Sequence, residues 1–416
     1  MRIQAPIKGH QMGQNNHLST LSIKLSKKIF FKLLNGITYG AIIVNDANGS
    51  YVFGNLEEKN DSIAIITINN PKAYKAILMG GSVGAGASYI DGDWDTNDLQ
   101  KLIELIIKND ALFNNIESPI ARFFSLIRTI SYKLKINSIR RAKENILAHY
   151  DLGNDFFKLI LDPSMMYSCA LYKPSEISLE EASQKKIQTI CHALQLKASD
   201  HILEIGTGWG GFACFAAQRY GCKVTTTTIS EKQYLYVKEK ITQLGLNHQI
   251  ELLKEDYRAL SGQYDKVVSI EMIEAVGHKY FDTFFHQCNQ LLKPEGLFFL
   301  QGIIINDQAY EAAKNEVDFI KKYIFPGGCL PSVFSISKSI ASQTTLQLLS
   351  FEDIGHHYVS TLNDWHKKLL ANKQEILAQG FTESFIRTWE FYFCYCAAGF
   401  QTNYISDIHA LWRKRR

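Results

Sequence analysis

The hydrophobic pattern changes period along the chain. Short runs that alternate or are continuously apolar lie between residues 41 and 68, in AIIVNDANGSYVFG and SIAIITINNP, and predict strands joined by a turn at Asn48-Gly49. A helix carrying Tyr74, Ile77 and Leu78 follows. GGSVGAGASYIDGDWDTND then reads as a glycine-rich turn, and a helix from near Thr96 sets Leu99, Leu102, Ile103, Leu105 and Ile106 on or near one face. The first 20 or so residues are polar and read as frayed. From about Lys197 the order becomes β-α-β-α. Strands are predicted at HILEIG, KVTTTTI, IELLKED, DKVVSIEM and LFFLQGIII, with helical segments between them. That alternation predicts a parallel sheet covered by helices on both faces. LQLLSFEDIG and a short terminal DIHALWRK are placed to finish the sheet, after an insertion at about Asp307 to Ser342.

Composition narrows this picture only slightly. A chain of 416 residues predicts two or three domains, and 46% hydrophobic residues make a sizeable core. A net charge of +4, from 45 basic and 41 acidic groups, is too mild to point to nucleic acid. The eight cysteines all lie at or beyond Cys169 without CxxC pairs, which predicts a reduced, cytosolic protein with no metal centre. The N-terminus lacks the apolar core of a signal peptide, and no run approaches the roughly 18 apolar residues of a membrane span.

One stretch, 118 to 144, departs from that balance: SPIARFFSLIRTISYKLKINSIRRAKE. Arg122, Arg128, Lys133, Lys135, Arg140, Arg141 and Lys143 alternate with Phe123, Phe124, Ile127, Ile130 and Leu134. It reads first as an inter-domain amphipathic helix with a solvated face, and second as a segment that meets anionic lipid head groups. DGDWDTND invites a calcium reading, but with Asp91 at position 1 the loop has Thr96 and Leu102 where glycine and glutamate are needed. Aspartates capping a helix are the better reading.

The chemistry-bearing stretch is ILEIGTGWGGFACFAAQ, residues 202 to 218. Gly206, Gly208 and Gly211 satisfy G-x-G-x-x-G, yet the second strand ends in TTTTIS, without the acid that a dinucleotide's ribose requires there. Glu204, two residues before the loop, gives E-x-G-x-G instead, the pattern of S-adenosylmethionine sites in this sheet topology.

HYDLGNDFFKLILDPSMMYSCALY, LEIGTGWGGFA, TTISEKQ, EDYRAL, SIEMIEAVGHKYFDTFF, YIFPGGCLPS and FCYCAAGF follow one another in the order of the cyclopropane-fatty-acyl-phospholipid synthase family, which the chain resembles over nearly everything after residue 25. The resemblance implies an α/β class I methyltransferase, Rossmann-like with a seven-stranded sheet, at 145–416. It also implies a small N-terminal α+β lipid-engaging domain at 22–115, with the basic linker at 116–144 between them. The implied reaction moves the methyl of S-adenosylmethionine to a cis double bond of a phospholipid acyl chain, after which a proton is lost and the ring closes. Bicarbonate is the implied base. Tyr167 and Ser168 would touch the cofactor near its reactive end, and Glu204, Gly206, Thr207 and Gly208 would hold its amino acid part. Thr228, Ile229 and Gln233 would face the ribose, while Tyr257 and Arg258 flank the adenine. Cys169, Glu274 and Tyr358 fall where the family holds bicarbonate, and Cys396 falls at a cysteine often marked as catalytic. The implied partners are an unsaturated phospholipid and a membrane surface met peripherally from the cytoplasm, with a homodimer left open.

The residue types suit that reaction. Alkylating an alkene leaves a carbocation, which needs a water-poor site faced by aromatic rings or a fixed negative charge. WEFYFCYCAAGF supplies rings at Trp389, Phe391, Tyr392, Phe393, Tyr395 and Phe400. Tyr358 and a backbone amide near Cys169 are suitable donors to an anion, and Glu274 would orient it as a base. Two positions depart from the family's pattern. Its F-E-H is Ile273-Glu274-Ala275 here, and a histidine of the fifth strand is Gln301, which cannot take up a proton near neutral pH. A methyl- or methylene-branched product, methylation of a small amine, and a lipid-binding protein without catalysis are the alternatives.

Overall fold

The computed structural model describes residues 12–56, 62–109 and 153–416. The basic segment 116–144 and the first residues of the motif that begins at His149 lie outside them. The chain divides into two compact units, Met1–Phe124 and Ser125–Arg416.

In the first unit, helix α1 (Met12–Leu34) begins well inside the stretch expected to fray. Ser26, Phe30 and Leu34, four residues apart, form a buried line that seats it. The sheet runs β2-β1-β3-β4, from β1 (Ala41–Asp46), β2 (Gly49–Gly54), β3 (Ile63–Ile68) and β4 (Trp94–Thr96). Its hairpin closes where Asp46 pairs with Gly49, at the expected turn. The expected glycine-rich turn is instead helical. Helix α2 runs from Lys72 to Ile90 and takes up the glycines with one non-helical residue, Gly81. The glycines locally favour a turn and kink the helix at Gly81, φ +53, while packing of Val83, Gly86 and Tyr89 holds the rest helical. Helix α3 (Leu99–Lys108) starts after β4, and the Asp98 carboxylate caps it by accepting from the Lys101 amide at 2.9 Å.

In the second unit all seven strands expected from the sequence join one sheet. These are β5 (His201–Ile205), β6 (Lys223–Thr227), β7 (Ile250–Leu253), β8 (Tyr264–Ile270), β9 (Leu292–Ile305), β10 (Leu346–Asp353) and β11 (Ile405–Lys414). The order is β10-β11-β9-β8-β5-β6-β7. The five strands from β5 to β9 are mutually parallel, and β11 inserts antiparallel between β9 and β10. The terminal strand therefore lies inside the sheet, and at ten residues it is longer than expected.

Alternation along the strands builds a core on each face. Ile202, Val224, Val268, Leu297 and Phe299 point to one side, with Ile187 and Ile190 of α4 (Leu179–Ala193), Phe212 of α5 (Gly211–Tyr220) and Val237 of α6 (Glu231–Gln243). Leu203, Val267, Phe298, Leu300 and Trp412 point to the other, with Phe284 and Phe285 of α7 (Phe281–Leu291) and Ile336 and Ile340 of α8 (Val333–Gln343). Two further helices, α9 (Gly355–Ala371) and α10 (Glu383–Gln401), supply most of the aromatic side chains discussed below. Gly355 brings α9 close to β11, since a Cβ there would stand 2.1 Å from Ser406 Oγ. Among the described residues no helix is long and apolar enough to cross a membrane.

Candidate active site

Strand order reverses around β5, with β8 on one side and β6 on the other, and the carboxyl ends of such strands form the crevice of an open α/β sheet. The loop after β5 runs through Gly206, Thr207 and Gly208 and is tied to β6 by the Thr207 amide, which donates to Thr227 O at 2.9 Å. Gly208 has φ +51, and a Cβ there would meet nothing within 4 Å, so the loop presents open backbone. Below it Glu204 is buried, accepts from Thr226 Oγ1 at 2.5 Å, and has its pKa pushed up to about 7 by that burial.

Thr228 Oγ1 donates to Gln233 Oε1 at 2.8 Å, beside the half-buried Ile229. Tyr257 has a buried hydroxyl without a hydrogen-bond partner. Arg258 forks onto Asp256 at 2.7 and 2.6 Å, and its guanidinium lies 5.5 and 5.4 Å from the rings of Tyr257 and Tyr280. An open glycine face, a buried acid for an ammonium group and an orphaned hydroxyl fit S-adenosylmethionine.

A second cluster forms where β8, β9, β11, α9 and the loop before α4 meet. Glu271, the residue after β8, is its centre. Its Oε1 accepts from the Cys169 amide at 2.7 Å and from Gln301 Nε2 at 2.8 Å, and its Oε2 accepts from the Tyr358 hydroxyl at 2.5 Å. Gln301 Nε2 also donates to Asp407 Oδ2 at 2.9 Å, while His409 Nε2 donates to Gln301 Oε1 at 3.2 Å. Burial holds the His409 pKa at about 3, so the ring is neutral. Lys186, fully buried on α4, donates to Ser168 Oγ at 2.5 Å, and burial lowers its pKa against the attraction of Glu271 and Asp407.

Glu274 stands three residues after Glu271, in the short helix Ile273–Val276. Its Oε1 accepts from the Ile303 amide at 2.5 Å, and its buried Oε2 has no partner. Burial, then the neighbouring Glu271 charge, push its pKa to about 8, so it carries a proton at neutral pH.

Rings connect this cluster to Tyr167. Tyr358 stacks on Phe400 at 4.5 Å and meets Trp365 edge-on at 6.1 Å, and Trp365 packs 5.0 Å from Tyr167. Tyr167 is 3.0 Å from Tyr392 between hydroxyls. Of the expected catalytic residues, Cys169, Gln301 and Tyr358 touch Glu271 directly, Cys169 through its backbone. The buried Cys169 thiol itself turns toward Ile354 O at 3.9 Å. Burial, and then the nearby Asp318, raise the Cys396 pKa, so its thiol stays protonated and belongs to a different neighbourhood.

Bicarbonate does not fit the place the resemblance gives it. The single hydrogens of the Cys169 amide and the Tyr358 hydroxyl already point at Glu271, the Ile303 amide points at Glu274, and a free anion would stand against the Glu271 charge.

Glu271, Asp407, Lys186 and His409 are the site residues that sequence reasoning missed. Two signals were available. Glu271 ends an apolar strand, three residues before Glu274, and Asp407 interrupts another within ISDIHALW. An acid inside a strand buried on both faces requires a partner.

Fold and loop together define a class I S-adenosylmethionine-dependent methyltransferase. Residues 137–410 match the family model of mycolic acid cyclopropane synthetase. Cyclopropane-fatty-acyl-phospholipid synthase of Escherichia coli strain K12 is 37% identical over 352 residues, 84% of this chain and 87% of that protein. Tuberculostearic acid methyltransferase UfaA1 of Mycobacterium tuberculosis is 33% identical over 354 residues, 82% of this chain and 81% of that protein. The crystal structure of mycolic acid cyclopropane synthase CmaA1 complexed with SAH and CTAB superposes with a TM-score of 0.61 at 28% identity, covering 65% of this chain and 98% of that one. The chain belongs to the cyclopropane synthase family of methyltransferases.

Proposed function

We propose that this enzyme converts a cis double bond in a phospholipid acyl chain into a cyclopropane ring, with S-adenosylmethionine as the one-carbon donor. The observation that carries the reading is the double attachment of Tyr358. Its hydroxyl is bonded to a buried acid cluster, and its ring belongs to the aromatic set that reaches Tyr167 and Tyr392. A carbocation formed on the acyl chain needs both features, π faces to stabilise it and a base to end it.

The bound donor supplies a methyl group electrophilic enough for an alkene. Glu204 holds its ammonium group, Gly206 and Gly208 let it lie against backbone, and Tyr167 with Ser168 flank the methyl. Tyr167, Trp365 and Tyr392 exclude water from the cation. The first unit and the basic segment 116–144 engage the phospholipid surface, where Lys and Arg meet anionic head groups at about 1 kcal/mol each. A methyl-branched product is the second reading, favoured by the similarity to a tuberculostearic acid methyltransferase.

The test uses purified protein, methyl-tritiated S-adenosylmethionine and vesicles of monounsaturated or fully saturated phospholipid. Label is expected in the unsaturated lipid alone. Label in saturated lipid, or in added small amines with none in lipid, would contradict the proposal.

A further inference from the structure

Glu271 draws donors from three parts of the second unit, the loop at Cys169, β9 and α9. Its backbone has φ +47, a left-handed conformation that residues with a Cβ seldom adopt and that persists where surroundings enforce it. The enforcement is visible on both sides. Its amide donates to Gln301 O at 2.8 Å, and its carboxylate receives the Cys169 amide, the Gln301 amide and the Tyr358 hydroxyl. The two hydrogens of the Gln301 amide go one to Glu271 and one to Asp407, which brings the two carboxyl groups within hydrogen-bond reach of each other, and acids so close do not both ionise. The proton resides on Asp407, whose pKa burial and the Glu271 charge raise well above the usual range. Burial raises Glu271 as well, but Lys186, Tyr358 and the Cys169 amide all oppose it by favouring its charged form. The cluster therefore holds one anion, on Glu271, and neutral acids at Asp407 and Glu274.

We propose that Glu271 is the enzyme's own base: its carboxylate takes the place of a free bicarbonate and removes the proton whose loss closes the ring. The inference rests on the alkylation reading above and adds the identity of the base. In the balanced step the S–CH3 bond breaks with its electron pair left on sulfur. The alkene π pair forms the new C–CH3 bond, and the other alkene carbon becomes positive. Glu271 accepts a proton from the new methyl, the released C–H pair closes the ring on the cationic carbon, and neutral Glu271 returns its proton to solvent. A tethered carboxylate is present at every turnover, unlike an anion drawn from solution, and its fixed charge faces the cation before the proton moves.

The test compares wild type, Glu271→Gln and Glu271→Gly as full chains with S-adenosylhomocysteine bound. Binding of 13C-bicarbonate is read by NMR, and methyl transfer to unsaturated vesicles is measured in CO2-depleted buffer with and without added bicarbonate. Wild type is expected to show no bound bicarbonate signal and a rate unchanged within about twofold by bicarbonate. Glu271→Gln keeps its affinity for S-adenosylhomocysteine, loses about 100-fold or more in rate and is not rescued. Glu271→Gly binds bicarbonate and recovers activity when it is added. Bicarbonate bound to wild type, a wild-type rate that depends on it, or a Glu271→Gln variant as fast as wild type would each overturn the proposal. Should Glu271→Gly fail to fold, the other two proteins decide. A wild type that needs bicarbonate refutes the base and leaves the alkylation reading standing, whereas one that never labels unsaturated lipid refutes the alkylation reading and the base with it.

Discussion

The hydroxyls of Tyr167 and Tyr392 lie 3.0 Å apart, although 225 residues separate them in the chain. The contact joins the loop before α4 to the middle of α10. It also places two rings together where the proposed reaction needs π density.

Changing Tyr392 in two ways separates that hydrogen bond from the ring. Tyr392→Phe should cost about 1 kcal/mol in urea unfolding and leave turnover within severalfold of wild type. Tyr392→Leu removes the π face and should lower kcat roughly tenfold or more, with the KM for S-adenosylmethionine little changed. Equal turnover in the two variants would mean that the ring only packs.

Glu204 makes cofactor affinity depend on pH. Its pKa of about 7 without ligand means that the carboxylate becomes charged as pH rises through neutrality. Calorimetric titrations with S-adenosylhomocysteine should show affinity rising between about pH 6 and 8, and Glu204→Gln should flatten the profile. The unliganded fold responds with the opposite sign. Glu204 and Glu274, with folded pKa values near 7 and 8 against an ordinary 4.5, bind protons more tightly folded than unfolded. Their contribution to stability is complete below about pH 4.5 and is lost as pH rises through 7 and 8. Urea midpoints of unliganded protein across that window check this.

Glu274 is neutral at pH 7, so Glu274→Gln retains the oxygen that accepts from the Ile303 amide. Turnover at pH 7 should fall less than tenfold, far less than for Glu271→Gln. A larger loss in Glu274→Gln would show that the two acids have exchanged roles.

Lys186 is a buried cation whose charge favours the ionised form of Glu271. Lys186→Met leaves Glu271 charged in a buried site and should destabilise the second unit by about 3–5 kcal/mol. The double variant with Glu271→Gln should recover a large part of that loss. Chemical denaturation of both proteins, as a double-mutant cycle, measures the coupling.

The second unit was legible because its code is local. Each strand is a short apolar run, and E-x-G-x-G lies where a strand turns into a helix. The first unit was read less well at GGSVGAGASYI, where glycines that locally favour a turn are held in α2 by packing the sequence does not display. At the site, Tyr358 and a backbone amide near Cys169 were expected as donors to bicarbonate, and in the structure both donate to Glu271. The identity of the anion was hidden, because Glu271, Gln301 and Asp407 meet only when β8, β9 and β11 lie side by side. The left-handed backbone of Glu271 and the proton held by Asp407 are likewise consequences of that convergence and leave no mark in the sequence.

The most direct measurement is the mass spectrum of phospholipid acyl chains from cells expressing the protein, with the products resolved as rings or branches. The account predicts that monounsaturated chains gain one CH2 as a cyclopropane in wild type, and that Glu271→Gln abolishes the gain. Acyl chains identical to those of cells without the protein, although purified protein binds S-adenosylmethionine, would contradict it.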